Sequence, residues 1–424
     1  MKIVEKIGVP DLGYSWFDAN LSEEQKNIQK VVHEFSLNEI RPTCEKLDKM
    51  TPEEVIEPGS LWYQLREKYA ALGFDYKAFD GMTSQEACAI QALVVEELGW
   101  GDFGFNIGMM VDSFPKVAAH NLGRTDLAEK YADKIGCWIA TQPDRGSDVV
   151  DFQGEEIAAG SKQHRGNLIT RVEGDKLIVN GQSSAWVSLA PVAEVALLMT
   201  QCDYGDGLWR ENGSLNGVLA VVPLDLPGIT KGRPLHKIGQ RSLPQGEIFF
   251  DNVEVPANNI LLGEEAFDAA TFSMLSEGNT VHAAGATGLA RAAFEHALEY
   301  VHERRQGGTE LINHQLMRHR IFKLFQEVEA CRALARRAFD WFANADEPEI
   351  AIAICAKTYC TEKAFLVASE AIQIFGGNGL TQEYPLEKLM RDARATMIED
   401  GESNILGLVA ANRISAIYRN SSIL

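Results

Sequence analysis

The 424-residue sequence is notable first for what it lacks. No apolar run approaches the ~18–20 residues that span a bilayer, so no transmembrane helix is expected. It contains no CxxC, HExxH or GxSxG, so zinc-knuckle, zincin and α/β-hydrolase chemistry have no residues to carry them. Cysteine is sparse, at Cys44, Cys88, Cys137, Cys202, Cys331, Cys355 and Cys360. An odd, dispersed set reads as reduced thiols in a cytosol-like compartment. Basic residues are few beside acids, 40 Lys+Arg against 60 Asp+Glu, a net charge of −20. Such a surface repels nucleic-acid phosphates and anionic lipid and favours solubility. The opening stretch, residues 1–25, has neither an apolar signal core nor an Arg/Ser-rich transit pattern, and a cytoplasmic protein is expected.

What is present is a globular chain, 46% hydrophobic and 24% charged. At roughly 100–200 residues per domain it is long enough for two to four domains. From Leu21 to Gly136 the pattern is helical. Ser22 is a candidate N-cap, followed by Ile28, Val31, Val32, Phe35 and Leu37 at 3–4 spacing. Two further runs, SLWYQLREKYAALGF and SQEACAIQALVVEELG, each end at a glycine. Between Trp138 and Gly263 the runs KLIVNG, AEVALLMT, GVLAVVP and GEIFFDNVEVP, set off by Gly, Pro, Asn and Asp, read as strands. From Phe267 onward long Ala-rich amphipathic helices return. The chain is therefore α+β in the order helical, β, helical, with expected domains 1–137, 138–264 and 265–424.

Several stretches offer chemistry, each beside a plainer role. Gly99, Gly101 and Gly104 satisfy GxGxxG, but a dinucleotide fingerprint follows a strand, and this follows a helical run; a glycine-rich helix break is the reading. In Thr141-Gln142-Pro143-Asp144-Arg145-Gly146-Ser147-Asp148, Pro143 and Gly146 force a turn while Thr141 and Ser147 bring hydroxyls beside free N–H groups. Such a loop holds a flavin edge or an anion, or is simply polar. Trp186 and Ser188 would share one strand face, an indole and a hydroxyl addressing one ring, or a buried tryptophan. Gln373-Ile374-Phe375-Gly376-Gly377 ends an apolar helix, where paired glycines admit a ligand to the backbone or cap the helix. Glu399, Asp400 and Glu402 precede another helix, as caps or as a catalytic carboxylate.

Taken together, these pieces resemble the acyl-CoA dehydrogenase flavoprotein family from about Leu21 to Ile417. The resemblance is carried by EELG at Glu96–Gly99, TQPDRGSD, the Trp186 segment, KIGQRS through GEIFFDNVEVP, ERRQGG through INHQ, IQIFGGNG and YPLEKLMRDARATMIEDGES. It implies an N-terminal helical domain, a middle β-domain and a C-terminal four-helix bundle. It also implies FAD between the last two, a homotetramer, an acyl-CoA substrate, and an electron-transferring flavoprotein as acceptor. By the same resemblance Thr141, Gly146, Ser147, Trp186 and Ser188 line the flavin. Arg304, Gln306, His314 and Gln315 reach the FAD of a neighbouring subunit, and Gln373, Gly376 and Gly377 lie beside its pyrophosphate and adenine. The implied chemistry removes an α-proton by a carboxylate while a hydride leaves the β-carbon, giving a 2-enoyl-CoA.

The departures from the family pattern are specific. The family's glutamate base, in a Tyr-Glu-Gly-Thr segment, is matched here by Asp400, a methylene or about 1.5 Å shorter. Glu402 stands where a threonine near the cofactor is usual. An alternative base position on another helix is Gly278, with Glu277 before it and Asn279 in place of an arginine. Asp102 is a further acid expected to face substrate. Gly307 replaces a phenylalanine, and the cavity floor is expected near Ile107, Met109 and Met110. Three activities stay open: dehydrogenation of a branched, cyclic or dicarboxylic acyl-CoA with Asp400 as base, by 1,4-elimination if Asp102 takes over; nitroalkane-oxidase-like or desulfinase chemistry on the same fold, the former also using an Asp-Gly segment; or acyl-CoA and flavin binding without turnover. No metal site is expected.

Overall fold

Ser22 opens the first helix as expected: its side chain accepts from Gln25 N–H while Gln25 returns a bond to the Ser22 N–H. The structure, a computed structural model, describes residues 8–9, 21–150, 165–211, 216–347 and 349–421. Its N-terminal part holds α1 (Glu23–Phe35), α2 (Arg41–Leu47), α3 (Pro52–Ile56), α4 (Leu61–Ala70), α5 (Ser84–Gly101), α6 (Phe103–Asn121) and α7 (Thr125–Lys130). A π-turn at Ser36–Ile40 interrupts the expected continuous first helix. Val32 is buried, but Val31 and Leu37 are exposed, since only part of the apolar face turns inward.

The middle part is a sheet built from β1 (Gly136–Ile139), β2 (Ile169–Glu173), β3 (Lys176–Gln182), β5 (Val195–Asp203), β6 (Gly217–Pro223), β7 (Ile229–Lys231), β9 (Ile248–Pro256) and β10 (Ile260–Leu262). Their order is β10-β6-β5-β2-β3-β9-β7, and β1 runs parallel to β5. A separate pair, β4 (Val187–Ser188) and β8 (Gln245–Gly246), lies at its side. All four runs read from the sequence as strands form strands. Valine, leucine and alanine fill β5 and β6 on both faces, and both strands are buried almost throughout.

The C-terminal part comprises α8 (Phe267–Glu303), the hairpin β11 (Arg305–Gln306) and β12 (Thr309–Glu310), α9 (Gln315–Asn344), α10 (Ile350–Phe375), α11 (Leu386–Thr396) and α12 (Ser403–Asn420). Helix α10 packs on α8, α9, α11 and α12, while α8 also packs on α5. Small residues let these helices close. A Cβ at Gly99 would run into the backbone of Gly285, and one at Gly288 into the carbonyl of Glu96. The GxGxxG glycines thus serve helix packing. Gly99 lies inside α5 rather than at its end, and α5 stops at Asp102.

That close approach buries charge. Arg291 on α8, 1% exposed, reaches both acids of the EELG segment: Nη1 is 2.8 Å from Glu96 Oε1, and Nη2 pairs with Glu97. Glu96 also accepts from Arg332 Nη2 at 3.0 Å and Arg336 Nη2 at 3.1 Å. Glu97 takes Gln29 Nε2 at 2.9 Å and His33 Nδ1 at 2.8 Å. Burial alone would raise the Glu96 carboxyl, but Arg332, Arg291 and Arg336 outweigh it and hold it down at about 2. Arg291→Met leaves two acids buried without their shared cation. It is expected to cost about 3–5 kcal/mol, read as a lower urea midpoint. Because the Glu96 carboxyl is depressed on folding, its contribution is present above pH about 4.5 and lost as pH falls toward 2. Acid-unfolding curves of Glu96→Gln against wild type check this.

Candidate active site

Four residues, 399–402, carry the acids between α11 and α12. Glu402 is the N-cap of α12, accepting from Asn404 N–H at 2.9 Å and Ile405 N–H at 3.2 Å. Gly401 takes φ +90°, and any side chain there would press on Leu406. Asp400 is one of four non-glycine residues with positive φ among the described residues, at +54°. Aspartate tolerates this left-handed conformation better than most. Two contacts pin the turn: Lys357 Nζ of α10 donates to Gly401 O at 2.7 Å, and Glu402 N–H donates to Ser147 Oγ at 3.0 Å.

The turn aims Asp400 at α8. A Cβ on Gly278 would stand 3.1 Å from Asp400 Oδ2 and 3.3 Å from Oδ1. The two positions at which the resemblance puts a base therefore converge, and glycine at one makes room for aspartate at the other. Oδ2 is shielded from solvent and has no hydrogen-bond partner among the described residues. Burial raises the Asp400 carboxyl to about 6, against the pull of Lys357. Beside it, burial raises Glu399 to about 7, although Gln240 Nε2 donates to its Oε1 at 2.6 Å. His282, one turn along α8 from Gly278, has Nε2 3.6 Å from Glu399 Oε1. Lys357 is itself brought down to about 8 by burial, with Asp400, Glu399 and Glu402 opposing. A carboxylate of raised basicity with one shielded, unpartnered oxygen is equipped to take a proton from a carbon acid.

Ser147 ties this turn to the loop that carries the expected ring-binding residues. Thr141 Oγ1 is 2.6 Å from Ser184 Oγ, and Ser184 N–H donates to Thr141 O at 2.8 Å. Gly146 is open, with nothing within 4 Å of where a Cβ would lie. Trp186 precedes β4 in a turn rather than sharing a strand with Ser188, and its indole is 62% exposed. Gln245 Nε2 holds this segment, 3.1 Å from Trp186 O and 3.2 Å from Ser188 Oγ. A bare indole at a rim of hydroxyls and backbone fits one face of a flat polar ring system such as a flavin.

At the far end of α8, Arg304, Gln306, His314 and Gln315 are exposed around the β11–β12 hairpin, with His314 Nε2 3.0 Å from Gln306 O. Gly307 takes φ +66° there, a turn for which the family's phenylalanine is poorly suited. Gln373, Gly376 and Gly377 are exposed at the end of α10. That turn is braced by Phe375 stacked on Tyr300 at 3.8 Å and by Asn378 Nδ2 donating to Tyr300 OH at 2.9 Å.

Other expectations are corrected. Asp102 is 2% exposed and already partnered within the protein. It caps α6 by accepting from Phe105 N–H at 2.8 Å, accepts from Ser242 Oγ at 2.5 Å, and pairs with buried Lys388. Glu277 lies one residue, about 100° of helix rotation, from the direction in which Gly278 meets Asp400; its carboxyl is raised by burial and hydrogen-bonded by Gln91 of α5. The Glu402 carboxylate caps α12. Cys355 is exposed, whereas Cys360 is buried. Sequence reasoning missed Lys357, Gln240 and His282. The signal for Lys357 was a lone cation on the apolar side of α10, among Ile354, Ala356 and Cys360.

Comparison with known proteins bears on the fold and the family. Residues 137–253 match the family model for the acyl-CoA dehydrogenase middle domain, and residues 268–415 match that for the acyl-CoA dehydrogenase C-terminal domain. A benzylmalonyl-CoA dehydrogenase of Aromatoleum aromaticum is 30% identical over 94% of this chain and 100% of that protein. A cyclohex-1-ene-1-carbonyl-CoA dehydrogenase of Syntrophus aciditrophicus is 28% identical over 93% of this chain and 90% of its own length. The structure of a glutaryl-CoA dehydrogenase with glutaryl-CoA superimposes with a TM-score of 0.79 at 27% identity, covering 94% of this chain and 97% of that one. If the bare indole stacks on the flavin, Trp186→Ala weakens FAD binding about 10-fold, which titration of the apoprotein with FAD measures by fluorescence.

Proposed function

Because the chain belongs to the acyl-CoA dehydrogenase family, we propose that Asp400 is the base that removes the α-proton from a branched, cyclic or dicarboxylic acyl-CoA. The protein is an FAD-dependent oxidoreductase. When bound, FAD supplies the acceptor for the hydride that leaves the β-carbon. Thr141, Gly146, Ser147, Trp186 and Ser188 are the residues proposed to hold its ring, and Gln373, Gly376 and Gly377 its distal part. Arg304, Gln306, His314 and Gln315 are suited to reach the FAD of a second subunit. The exposed apolar side chains of α12, Leu408, Ile414, Ile417 and Tyr418, support a homotetramer in which such a reach is possible. An electron-transferring flavoprotein is the proposed acceptor.

The observation that carries the proposal is the Asp400 carboxylate, with Oδ2 shielded, unpartnered and turned to Gly278. Before reaction Asp400 is ionised, with Lys357 as the nearby cation. Oδ2 then takes the α-proton, and the acid so formed is neutral in a place where burial disfavours charge. The substrate class is supported by the relatives, whose names carry cyclic and dicarboxylic acyl groups. The test is the anaerobic visible spectrum of the holoenzyme with butyryl-, isobutyryl-, cyclohexanecarbonyl- and glutaryl-CoA. Bleaching by the branched, cyclic or dicarboxylic members is expected. Bleaching by butyryl-CoA alone would overturn the substrate class. Bleaching by nitroalkanes and by no thioester would point to oxidase chemistry instead.

Asp400→Asn is expected to abolish bleaching, and full reduction by this variant would remove Asp400 as the base. The reduction rate should fall as pH drops through about 6, where Asp400 takes up a proton before the substrate can give one. Lys357→Met removes the cation that favours the ionised form. It should move this limb to higher pH by roughly 1 unit, read by stopped-flow reduction across pH 5–9.

A further inference from the structure

The aspartate base needs a turn that an ordinary residue adopts reluctantly, and a second residue with the same strain touches it. Gln240 also takes a left-handed conformation, φ +50°, in the loop between β7 and β8. A non-glycine residue held there is strained and persists only where its surroundings fix it. Here they do. The Gln240 N–H donates to Asp392 Oδ1 of α11, and its Nε2 lies 3.4 Å from Asp392 O and 2.6 Å from Glu399 Oε1. The loop cannot shift away. Its Gly239 lies against the backbone of Arg391, and a Cβ on Gly104 would meet Ser242 Oγ at 2.6 Å and Gln240 Cα at 3.1 Å. Asp392 is paired with Lys388 at 2.6 Å, and Lys388 with Asp102, to which Ser242 donates. Both ends of the 240–242 loop therefore close on one buried ion triad.

We propose that Gln240 is a positioning residue for the base: it clamps Glu399 to α11 and so holds the left-handed turn that aims Asp400 at Gly278. The clamp answers the missing methylene. A shorter side chain reaches the α-carbon only if its backbone is placed more exactly, and misplacement near 1 Å costs about 10²-fold in rate. The amide is suited to the task because it donates to Glu399 without adding charge beside Asp400. Lys357 and Ser147 hold the turn from Gly401 onward, and Gln240 grips it on the other side of the base.

This inference rests on Asp400 being the base, and its test separates the two. The holoenzymes of wild type, Gln240→Met, Gln240→Gly, Glu399→Ala and the Gln240→Met/Glu399→Ala double variant are reduced anaerobically with the panel thioester that bleaches wild type fastest. Gln240→Met keeps the length and removes the donor. Gln240→Gly removes the donor and relieves the strained φ, so it keeps its folding even if Gln240→Met does not. Both are expected to lower the reduction rate constant about 10²-fold with thioester affinity changed less than about threefold. The double variant should be no slower than Glu399→Ala, the non-additivity of two parts of one clamp. A crystal structure of the Gln240→Gly holoenzyme should show the Asp400 carboxylate withdrawn from Gly278. Wild-type reduction by Gln240→Gly, additive losses in the double variant, or an unmoved Asp400 in that structure each overturn the clamp. Reduction by Asp400→Asn overturns the base itself, whatever the Gln240 variants do.

Discussion

Two helices that cross without side chains between them set the position of everything else. At Gly99, Gly285 and Gly288 the backbones of α5 and α8 approach so closely that a Cβ on any of them would strike the opposite helix or Asn106. That approach would be unfavourable with two unpaired acids at its centre, and Arg291 makes it possible by meeting Glu96 and Glu97 at once. Burying these charges is costly unless they are paired and hydrogen-bonded, and Arg332, Arg336, Gln29 and His33 provide that completion. The EELG segment is thus a docking element that joins the N-terminal helices to the C-terminal bundle.

Once α5 is seated, the start of α6 is seated too, and with it Asp102. Asp102 holds Ser242 and Lys388, Lys388 holds Asp392, and Asp392 holds the backbone of Gln240. Helical, β and helical parts of the chain meet in this one buried series. The same α8 that receives α5 at Gly285 and Gly288 presents Gly278 to Asp400 and His282 to Glu399. Spacings of four, three and three residues put positions 278, 282, 285 and 288 on a single helix face. The site and the domain junction are therefore one surface of α8, and a change at the crossing would be felt at the base.

Features that are local in sequence were legible in it. The Ser22 N-cap, the strands from KLIVNG to GEIFFDNVEVP and the order of helical and β parts depend on neighbours within a few residues, and all are present, while Glu402 takes the capping role, one of the two left open for its segment. Partners remote in sequence were not legible. Asp102 looked free to meet a substrate because its cation, Lys388, lies 286 residues away. Glu96 and Glu97 were seen as a motif but not as a pair with Arg291, nearly two hundred residues on. Trp186 was placed on a strand that proved only two residues long and began after it, because Ala185 and Trp186 form a turn. Asp400 was reached through resemblance, but the glycine that makes space for it had been noted only as a substitution.

The basicity of that aspartate follows from opposing effects, each needed. An exposed aspartate titrates near 3.9 and would be a weak acceptor for a carbon-bound proton. Burial makes Asp400 a stronger base, at about 6. Burial without a cation would carry it further, and a base already protonated at neutral pH cannot act. Lys357 limits the rise, so at pH 7 a group titrating near 6 is still about 90% ionised. Glu399 helps by its own titration. With its carboxyl raised to about 7, it is charged only part of the time and opposes the ionisation of Asp400 less than a full neighbouring charge would. A shorter side chain with one shielded oxygen, one lysine and one reluctant acid together give a base suited to neutral pH.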